Sequence, residues 1–530
     1  MIFRSTYSDV TIPEAAFTPF VLQRAEKIAG KTALIDGATG RRVSYGELVS
    51  DIHRVAANLS ARGFRQGDVF AIYSFNLPEY VIIFHAVSLL GGTNTLINPL
   101  YTTEEVANQL KDSGAKYLIT VPQLLDKALE AAKKANVREV FRFGAAETEE
   151  DANEAIAFDA LLKGEATDVP RVEINAREDI VALPYSSGTT GLPKGVMLTH
   201  HNLVANLLQC EALNFVTETD TLVCVLPLFH IYGLMVIMSL GLYHGCTLVT
   251  MPRFELEKFL NNLQEHRVTM AHVVPPIILA LSKHPIVDSY DLSSLHTIFS
   301  GAAPLGDSLI SECTTRLGCH IRQGYGMTET SPVTHASPHD PAECKSGSIG
   351  TLAPNTECKL VDHATSEEVT SHKREGEIWI RGPQVMKGYL NRPDATAHTL
   401  DEDGWLHTGD IGYADEDGHF FIVDRVKELI KYKGFQVAPA ELEAVLLSHP
   451  QIADAAVIPK RDEEAGEVPK AFIVLKSPVA MEEIMAFVAE RVAPHKKIRH
   501  LEVIEQIPKS ASGKILRRVL VERERAKDKE

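Results

Sequence analysis

Residues 185–195 read YSSGTTGLPKG and follow the apolar run Ile180-Val181-Ala182-Leu183. A short apolar run that empties into Ser, Gly and Thr predicts a strand followed by a flexible polar loop. Two readings of that loop stand side by side. It is a surface turn, since Gly, Ser and Thr cluster wherever a chain reverses. Or it is a phosphate cradle, in which Gly lets backbone N–H groups turn inward, Ser186, Ser187, Thr189 and Thr190 add donors around Gly188, and Lys194 adds charge. It is not a Walker A loop, because Pro193 precedes Lys194 and Gly195 follows it. The one Gly-Lys-Thr, at 30–32, has Ala25 where the first Gly of such a loop belongs and is set aside.

Working outward, residues 30–145 alternate helix and strand signals. Ser44 and Glu47 form a capping box that opens a helix, with Leu48, Ile52, Val55 and Leu59 on one face and Gly63 at its end. The strand-like DVFAIY (68–73), a helix from about Pro78 to Leu90, a second box at Thr102–Glu105 and YLITV (117–121) follow. Such alternation predicts a parallel α/β sheet. Residues 143–178 are acidic and weakly patterned, as in a long surface excursion. The rhythm resumes to about residue 330, and short strands dominate 345–424. After VDRVKELIKYKG (423–434) the pattern becomes that of a compact α+β unit, with a boundary at Asp424–Lys427 and a charged, fraying helix at VERERAKDKE.

The whole chain bounds the answer. Its 530 residues exceed one ordinary core, and 45% hydrophobic with 23% charged residues is a globular composition. The net charge of −17 argues against a broad nucleic-acid footprint. The first residues, MIFRSTYSDVTIPE, lack the apolar centre of a signal peptide, and seven scattered cysteines without Cys-x-x-Cys predict neither a zinc site nor a disulfide framework; a cytoplasmic setting is expected. Residues 221–252 contain no Asp, Glu, Lys or Arg, yet Pro227, His230, Gly233, Gly241, His244 and Gly245 interrupt them. The best uninterrupted piece, 231–243, is shorter than the roughly 20 residues of a spanning helix, so a buried wall, and no transmembrane segment, is expected.

Six further stretches carry a resemblance: LPLFHIYGL (226–234), SGAAPLG (300–306), QGYGMTET (323–330), GWLHTGDIG (404–412), VDRVKELIKYKGFQVAPAELE (423–443) and PKSASGKILRR (508–518). With the opening loop they run through nearly the whole chain in order, and the chain resembles the adenylate-forming superfamily of acyl-CoA synthetases, luciferases and peptide-synthetase adenylation domains. GYGMTE, LPLFHIYGL and IKYKGFQVAPAELE look closest to the 4-coumarate–CoA ligases and their bacterial cinnamate–CoA ligase relatives. The resemblance implies an α/β fold: a large domain, 1–424, of two αβ sheet subdomains plus a small β-barrel-like subdomain, hinged to a small α+β domain, 425–530. It also implies two half-reactions. A carboxylate attacks the α-phosphate of ATP, giving acyl-AMP and pyrophosphate, and the CoA thiol then displaces AMP.

Carried over residue by residue, Ser186, Ser187, Gly188, Thr189, Thr190 and Lys194 would hold the departing phosphates. Gly324 and Tyr325 would lie beside adenine, Thr328 would touch phosphate, and Glu329 would help hold Mg²⁺ through ATP. Asp410 would accept both ribose hydroxyls, as one carboxylate with two acceptor oxygens can, and Arg425 would bond the same sugar. Lys514 would bridge carboxylate and phosphate during adenylation, with Lys427 and Lys431 on the nucleotide phosphate. Arg253, Lys433 and Gly434 would meet CoA. Tyr232, Gly233, Ala302, Gln323, Gly324 and Thr328 would line the acyl pocket, with His230 at its mouth as gate, weak base or satisfied core histidine. Rotation about Asp424–Lys427 would present Lys514 and Lys433 in turn.

Substrate classes remain to be separated. An amino-acid adenylating domain needs a buried carboxylate for the ammonium group, and PLFHIYG offers none. A fatty acyl chain needs a long apolar tunnel, which Gly233, Met235 and Met238 permit. An aryl acid needs a shorter, flat-walled pocket. A non-catalytic acyl- or nucleotide-binding relative need not retain Lys194, Glu329, Asp410 and Lys514 together. The expected partners are a small carboxylic acid, ATP and CoA.

Overall fold

The computed structural model describes residues 1–144, 154–165, 169–186, 193–303, 305–362, 365–425, 428–432, 435–462, 465–492, 494–510 and 513–527. The opening apolar run is a strand, Ile180–Ser186, and it lies in an eight-stranded sheet. From one edge, that sheet's order is Gly388–Tyr389, Lys194–Thr199, Ile180–Ser186, Thr93–Ile97, Val69–Tyr73, Tyr117–Thr120, Glu139–Arg142 and Ile156–Ala157. Pairing is parallel from Ile180–Ser186 through to Ile156–Ala157. The helices that cross between these strands start where the side chains dictate. Ser44 accepts from the Glu47 N–H while Glu47 accepts from the Ser44 N–H, and the Thr102–Glu105 pair does the same. A third box, Thr199 with Asn202, opens the helix His200–Ala212.

A nine-stranded sheet faces this one. Its parallel interior runs His320–Gly326, Thr297–Ser300, Met270–Val273, Thr221–Cys224, Thr247–Thr250 and Thr32–Asp36, with antiparallel strands at both edges. The helix Pro78–Leu89 touches strands of both sheets and is buried on nearly every face, as a helix held between two sheets must be. One apolar cluster extends through both sheets. The uncharged stretch 221–252 is that core's wall: two strands joined by a π-helical turn, Tyr232–Ser239, and the short helix Leu240–His244. Among the described residues, no helix is long and apolar enough to cross a membrane, and the seven cysteines are free.

The strand-rich stretch after 345 forms a five-stranded antiparallel sheet, ordered Ile2–Arg4, Glu357–Val361, Gly376–Arg381, Leu406–Ala414 and Phe420–Arg425. The first of these comes from the chain's other end and is too short to show a period. The weakly patterned stretch 143–178 contains the short strand Ile156–Ala157 and a 3₁₀ turn, Phe158–Ala160. A fourth sheet begins at Ile430, five residues after the third ends at Arg425. Its long hairpin, Ile452–Asp462 with Gly466–Leu475, is extended along the free edge of Gly466–Leu475 by Ile430–Tyr432, which in turn pairs with Phe435–Val437, and by His500–Val503. It has its own apolar clusters, built on Leu442, Leu446, Val457, Ile473 and Ile484 and on Ile458, Phe472 and Leu520. The charged terminal segment is helical over Arg517–Lys527.

Candidate active site

Parallel strands bring loops together at their carboxyl ends, where ligands of open α/β sheets bind. Ser186 ends one such strand and pairs directly with Lys194 on the antiparallel strand that returns. The hairpin therefore sets a hydroxyl and an ammonium group opposite each other at its mouth. Ser187, Gly188, Thr189 and Thr190 lie outside the described residues. Across the mouth stands Glu329, in the 3₁₀ turn Thr328–Thr330, and only 6% exposed. The hydroxyls of Ser186 and Tyr389 both donate to its Oε1, at 2.9 and 2.8 Å. Neither donor uses Oε2. The Lys194 ammonium group sits 4.1 Å from the centre of the Tyr389 ring, a cation–π distance. Tyr389 thus joins the hairpin to the acid. It was not singled out from sequence: a Gly-Tyr pair in KGYLN carries no signal of its own.

A second cluster lies along the strand His320–Gly326 and the antiparallel sheet. Asp410 is 5% exposed and pairs across the sheet with Arg425. The Arg425 Nε donates to Oδ1 at 3.0 Å, and the Tyr325 hydroxyl donates to Oδ2 at 2.6 Å. Burial and the Asp410 charge push the Tyr325 phenol well above its usual range, and the same charge raises Arg425. Each carboxylate oxygen of Asp410 takes one donor and keeps a lone pair for a vicinal diol. Thr328, Gln323 and Gly324 are partly exposed on or beside the same strand. Its base is fixed by Arg322, fully buried, which donates to the carbonyls of Leu213, Asn214 and Ser337. Burial lowers that guanidinium to about 10, so it remains charged at neutral pH.

Lys514, in the small domain, feels charges from both clusters. Its pKa is lowered, first by burial and then by the Arg425 charge, while Asp410 and Glu329 oppose the shift. The loop that carries it closes on itself: the Ser510 N–H donates to the Lys514 carbonyl at 2.8 Å, and the Lys514 N–H to Ser510 Oγ at 3.2 Å. Gly513 turns this loop at φ 77°, where a side chain is strained, and lies against Val274 and Pro276 at the end of a sheet strand. His230 stands beside Lys514. Burial and that charge lower its imidazole to about 4, and its Nδ1 accepts from the Tyr232 N–H. It is therefore neutral at pH 7, a weak base and a potential donor through Nε2.

The Tyr232 hydroxyl donates to the Phe299 carbonyl at 3.2 Å, and its ring lies against Gly301, next to Ala302. Ala302 holds φ at 69°, the sparsely populated left-handed region. Arg253 is exposed and faces the Phe75 ring at 5.6 Å. Lys431 is exposed on its strand, its N–H held by Glu467. Lys427, Lys433 and Gly434 lie outside the described residues.

Gly233 does not set pocket depth through a side-chain position. A Cβ there would lie 2.3 Å from the Pro227 carbonyl oxygen, so the π-helical turn approaches its own preceding loop too closely for any larger residue. Gly233→Ala should lose roughly 1–3 kcal/mol of stability by overpacking, read as a lower thermal midpoint, with kcat/KM for large and small acids falling in parallel. An unchanged midpoint with altered acid selectivity would return Gly233 to the pocket wall.

The family described as AMP-binding enzyme matches residues 21–390, and the AMP-binding enzyme C-terminal domain matches 441–514. The chain is 45% identical over 531 aligned residues to 4-coumarate–CoA ligase 1 of Petroselinum crispum, covering 98% of this chain and 96% of the relative. The 4-coumarate–CoA ligase of Vanilla planifolia matches with the same identity and coverage. Among solved structures, the anthranilate–CoA ligase AuaEII in complex with anthranoyl-AMP superposes with a TM-score of 0.89 at 26% identity, over 98% of this chain and 99% of that one. MenE of Bacillus subtilis in complex with ATP and magnesium ion superposes at 0.81 and 33%, over 95% and 99%.

Proposed function

The chain belongs to the AMP-binding enzyme family and is an ATP-dependent carboxylate–CoA ligase; from that premise we propose that 4-coumarate and related cinnamates are its acids, and that the two polar clusters divide the work. What supports the division is that Lys514 feels the charges of Arg425, Asp410 and Glu329 together, while Arg425 bonds Asp410 at 3.0 Å.

In the first step a carboxylate oxygen of the acid attacks the α-phosphorus of ATP. The bond to the bridging oxygen breaks, and pyrophosphate leaves. Acid and triphosphate are both anions, so fixed cations must be in place before they meet. Lys514 is the cation positioned between the clusters. Lys194, with Ser186 and the hydroxyls of Ser187, Thr189 and Thr190, receives the departing pyrophosphate. Asp410 and Arg425 hold the ribose, Tyr325 lies beside adenine, and Thr328 bonds the α-phosphate. Glu329, a buried acid with Oε2 clear of both hydroxyl donors, fits a Mg²⁺ ion that arrives with ATP, since Mg²⁺ is commonly bound by one carboxylate plus substrate phosphates. That ion would neutralise charge on the phosphates. In the second step the CoA sulfur attacks the acyl carbonyl carbon, the thiol proton is lost, and AMP departs. A turn of the small domain would carry Lys514 away and bring Lys433 and Gly434 to the CoA path.

The Tyr232, Gly301 and Ala302 corner gives the acid a flat, aromatic wall, which suits a planar ring. The test is thioester formation with cinnamate, 4-coumarate, benzoate, octanoate and palmitate, alongside pyrophosphate release. The cinnamates should show the highest kcat/KM; turnover of only the two fatty acids would replace the aryl reading with a fatty acyl one.

A further inference from the structure

The loop that carries Lys514 is rooted in one arginine, three residues on. Arg517 opens the terminal helix Arg517–Lys527 and is 16% exposed. Its Nη2 donates to both oxygens of Glu443, at 2.8 and 2.7 Å, and its Nε to the Val457 carbonyl at 3.3 Å. Glu443 is on the helix Pro439–Leu447, and its Oε1 also accepts from the Val457 N–H at 2.7 Å. That bidentate pair, inside the small domain, is enough to hold the helix and the hairpin together.

The third nitrogen does something else. Arg517 Nη1 donates to Glu428 Oε2 at 2.6 Å. Glu428 belongs to the junction, not to the small sheet: its N–H donates to the carbonyl of Arg425, the last residue of the antiparallel sheet. Arg425 is in turn bonded to Asp410. One line of contacts therefore runs from the buried Asp410 through Arg425, the backbone and Glu428 to Arg517, and from there to the base of the Lys514 loop. The other charged group at this corner, Asp424, is occupied by the N–H groups of Arg425 and Ala440. Burial raises Asp424 to about 6 and Glu443 to about 7; the Glu428 side chain is 21% exposed.

We infer that Arg517 is a positioning residue for Lys514, and that its bond to Glu428 is what aims the loop at the nucleotide cluster. The inference rests on the reading of Lys514 as the adenylation lysine. A fork-shaped guanidinium can bind Glu443 and Glu428 at once, whereas an ammonium group cannot keep the same two geometries. Losing the Glu428 arm leaves the small domain's internal pair intact but frees the angle of the loop. Misplacement of a reacting group by about 1 Å can cost on the order of 10²-fold.

The experiment uses the full chain and separates the steps: the pre-steady-state burst of acyl-adenylate, the KM for ATP, and thioester formation from synthetic acyl-adenylate and CoA. Glu428→Gln should slow the burst about tenfold or more at unchanged ATP KM, with thioester formation from supplied adenylate within about twofold of the parent. Arg517→Lys should give the same pattern more strongly, and Glu428→Asp should recover most of the burst. A merely structural role would lower both steps together and would not be rescued by Asp. An undiminished burst in Glu428→Gln, or equal losses in both steps, overturns the inference. Lys514→Ala run in parallel tells the two readings apart: if it too leaves the burst intact, the assignment of Lys514 fails first.

Discussion

Lys514→Ala lowers the rate of acyl-adenylate formation by on the order of 10²–10³-fold, the usual effect of removing one preorganised group aimed at developing charge. The same variant converts supplied acyl-adenylate and CoA to thioester at close to the parent rate. The asymmetry follows from where the ammonium group sits. It feels the charges of Arg425, Asp410 and Glu329, the groups proposed to surround the nucleotide, and it is carried by the small domain, which is proposed to turn before CoA reacts. Its lowered pKa gives a second observable. Burial and Arg425 disfavour its charged form, so the ammonium group is lost at a lower pH than for a free lysine, and adenylation should fall on the alkaline side as pH rises through that value. Lys514→Arg retains charge at every working pH but not the compact shape of an ammonium group; its adenylation should be slower and its alkaline limb displaced upward. Equal losses in both half-reactions for Lys514→Ala, or an alkaline limb that Lys514→Arg leaves in place, would remove this lysine from the first step.

Asp410→Ala raises the KM for ATP and slows both half-reactions, because the sugar is bound in each. Two charge-assisted hydrogen bonds to ribose hydroxyls are lost, each at roughly 1.5–3 kcal/mol, or about one to two decades in affinity per bond. The loss is compounded by what stays behind. Arg425 and the Tyr325 hydroxyl both donate to this carboxylate, and its removal leaves a guanidinium group without its partner at the edge of a buried corner. Asp410→Asn keeps the shape, yet its amide nitrogen faces one of two donors and cannot accept from both; it should lie between parent and Ala. Isothermal titration with a non-hydrolysable ATP analogue measures the effect. Unchanged affinity in Asp410→Ala would place the ribose elsewhere.

What could be read in the sequence were features set by neighbours a few residues apart. The boxes at Ser44–Glu47 and Thr102–Glu105, the apolar face of Leu48, Ile52, Val55 and Leu59, and the strand before the phosphate loop are local, and each lies where its pattern put it. The features missed are those made by distant segments. Ile2–Arg4 becomes a strand only because Glu357–Val361 offers an open edge. Tyr389 enters the site because Gly388–Tyr389 pairs with the strand Lys194–Thr199. Arg322 carries no signal in the sequence, and the carbonyls of Leu213, Asn214 and Ser337, 109, 108 and 15 residues away, make it a buried support. Gly233 suggested open space, whereas the π-helical turn packs its Cα against Pro227. A residue type announces what chemistry it carries; which wall it meets depends on contacts that periodicity does not encode.

The Asp410–Arg425 pair straddles the last hydrogen-bonded residues before the junction. A nucleotide bound there grips the doorpost and not the door. On the proposed rotation, a sugar held by this pair stays in its seat while everything beyond Glu428 swings, and adenylate need not be released and recaptured between the two chemical steps. Retention of a reactive mixed anhydride through a large motion thus becomes a property of one cross-strand pair, and leakage of free adenylate into solution is the quantity by which that pair can be judged.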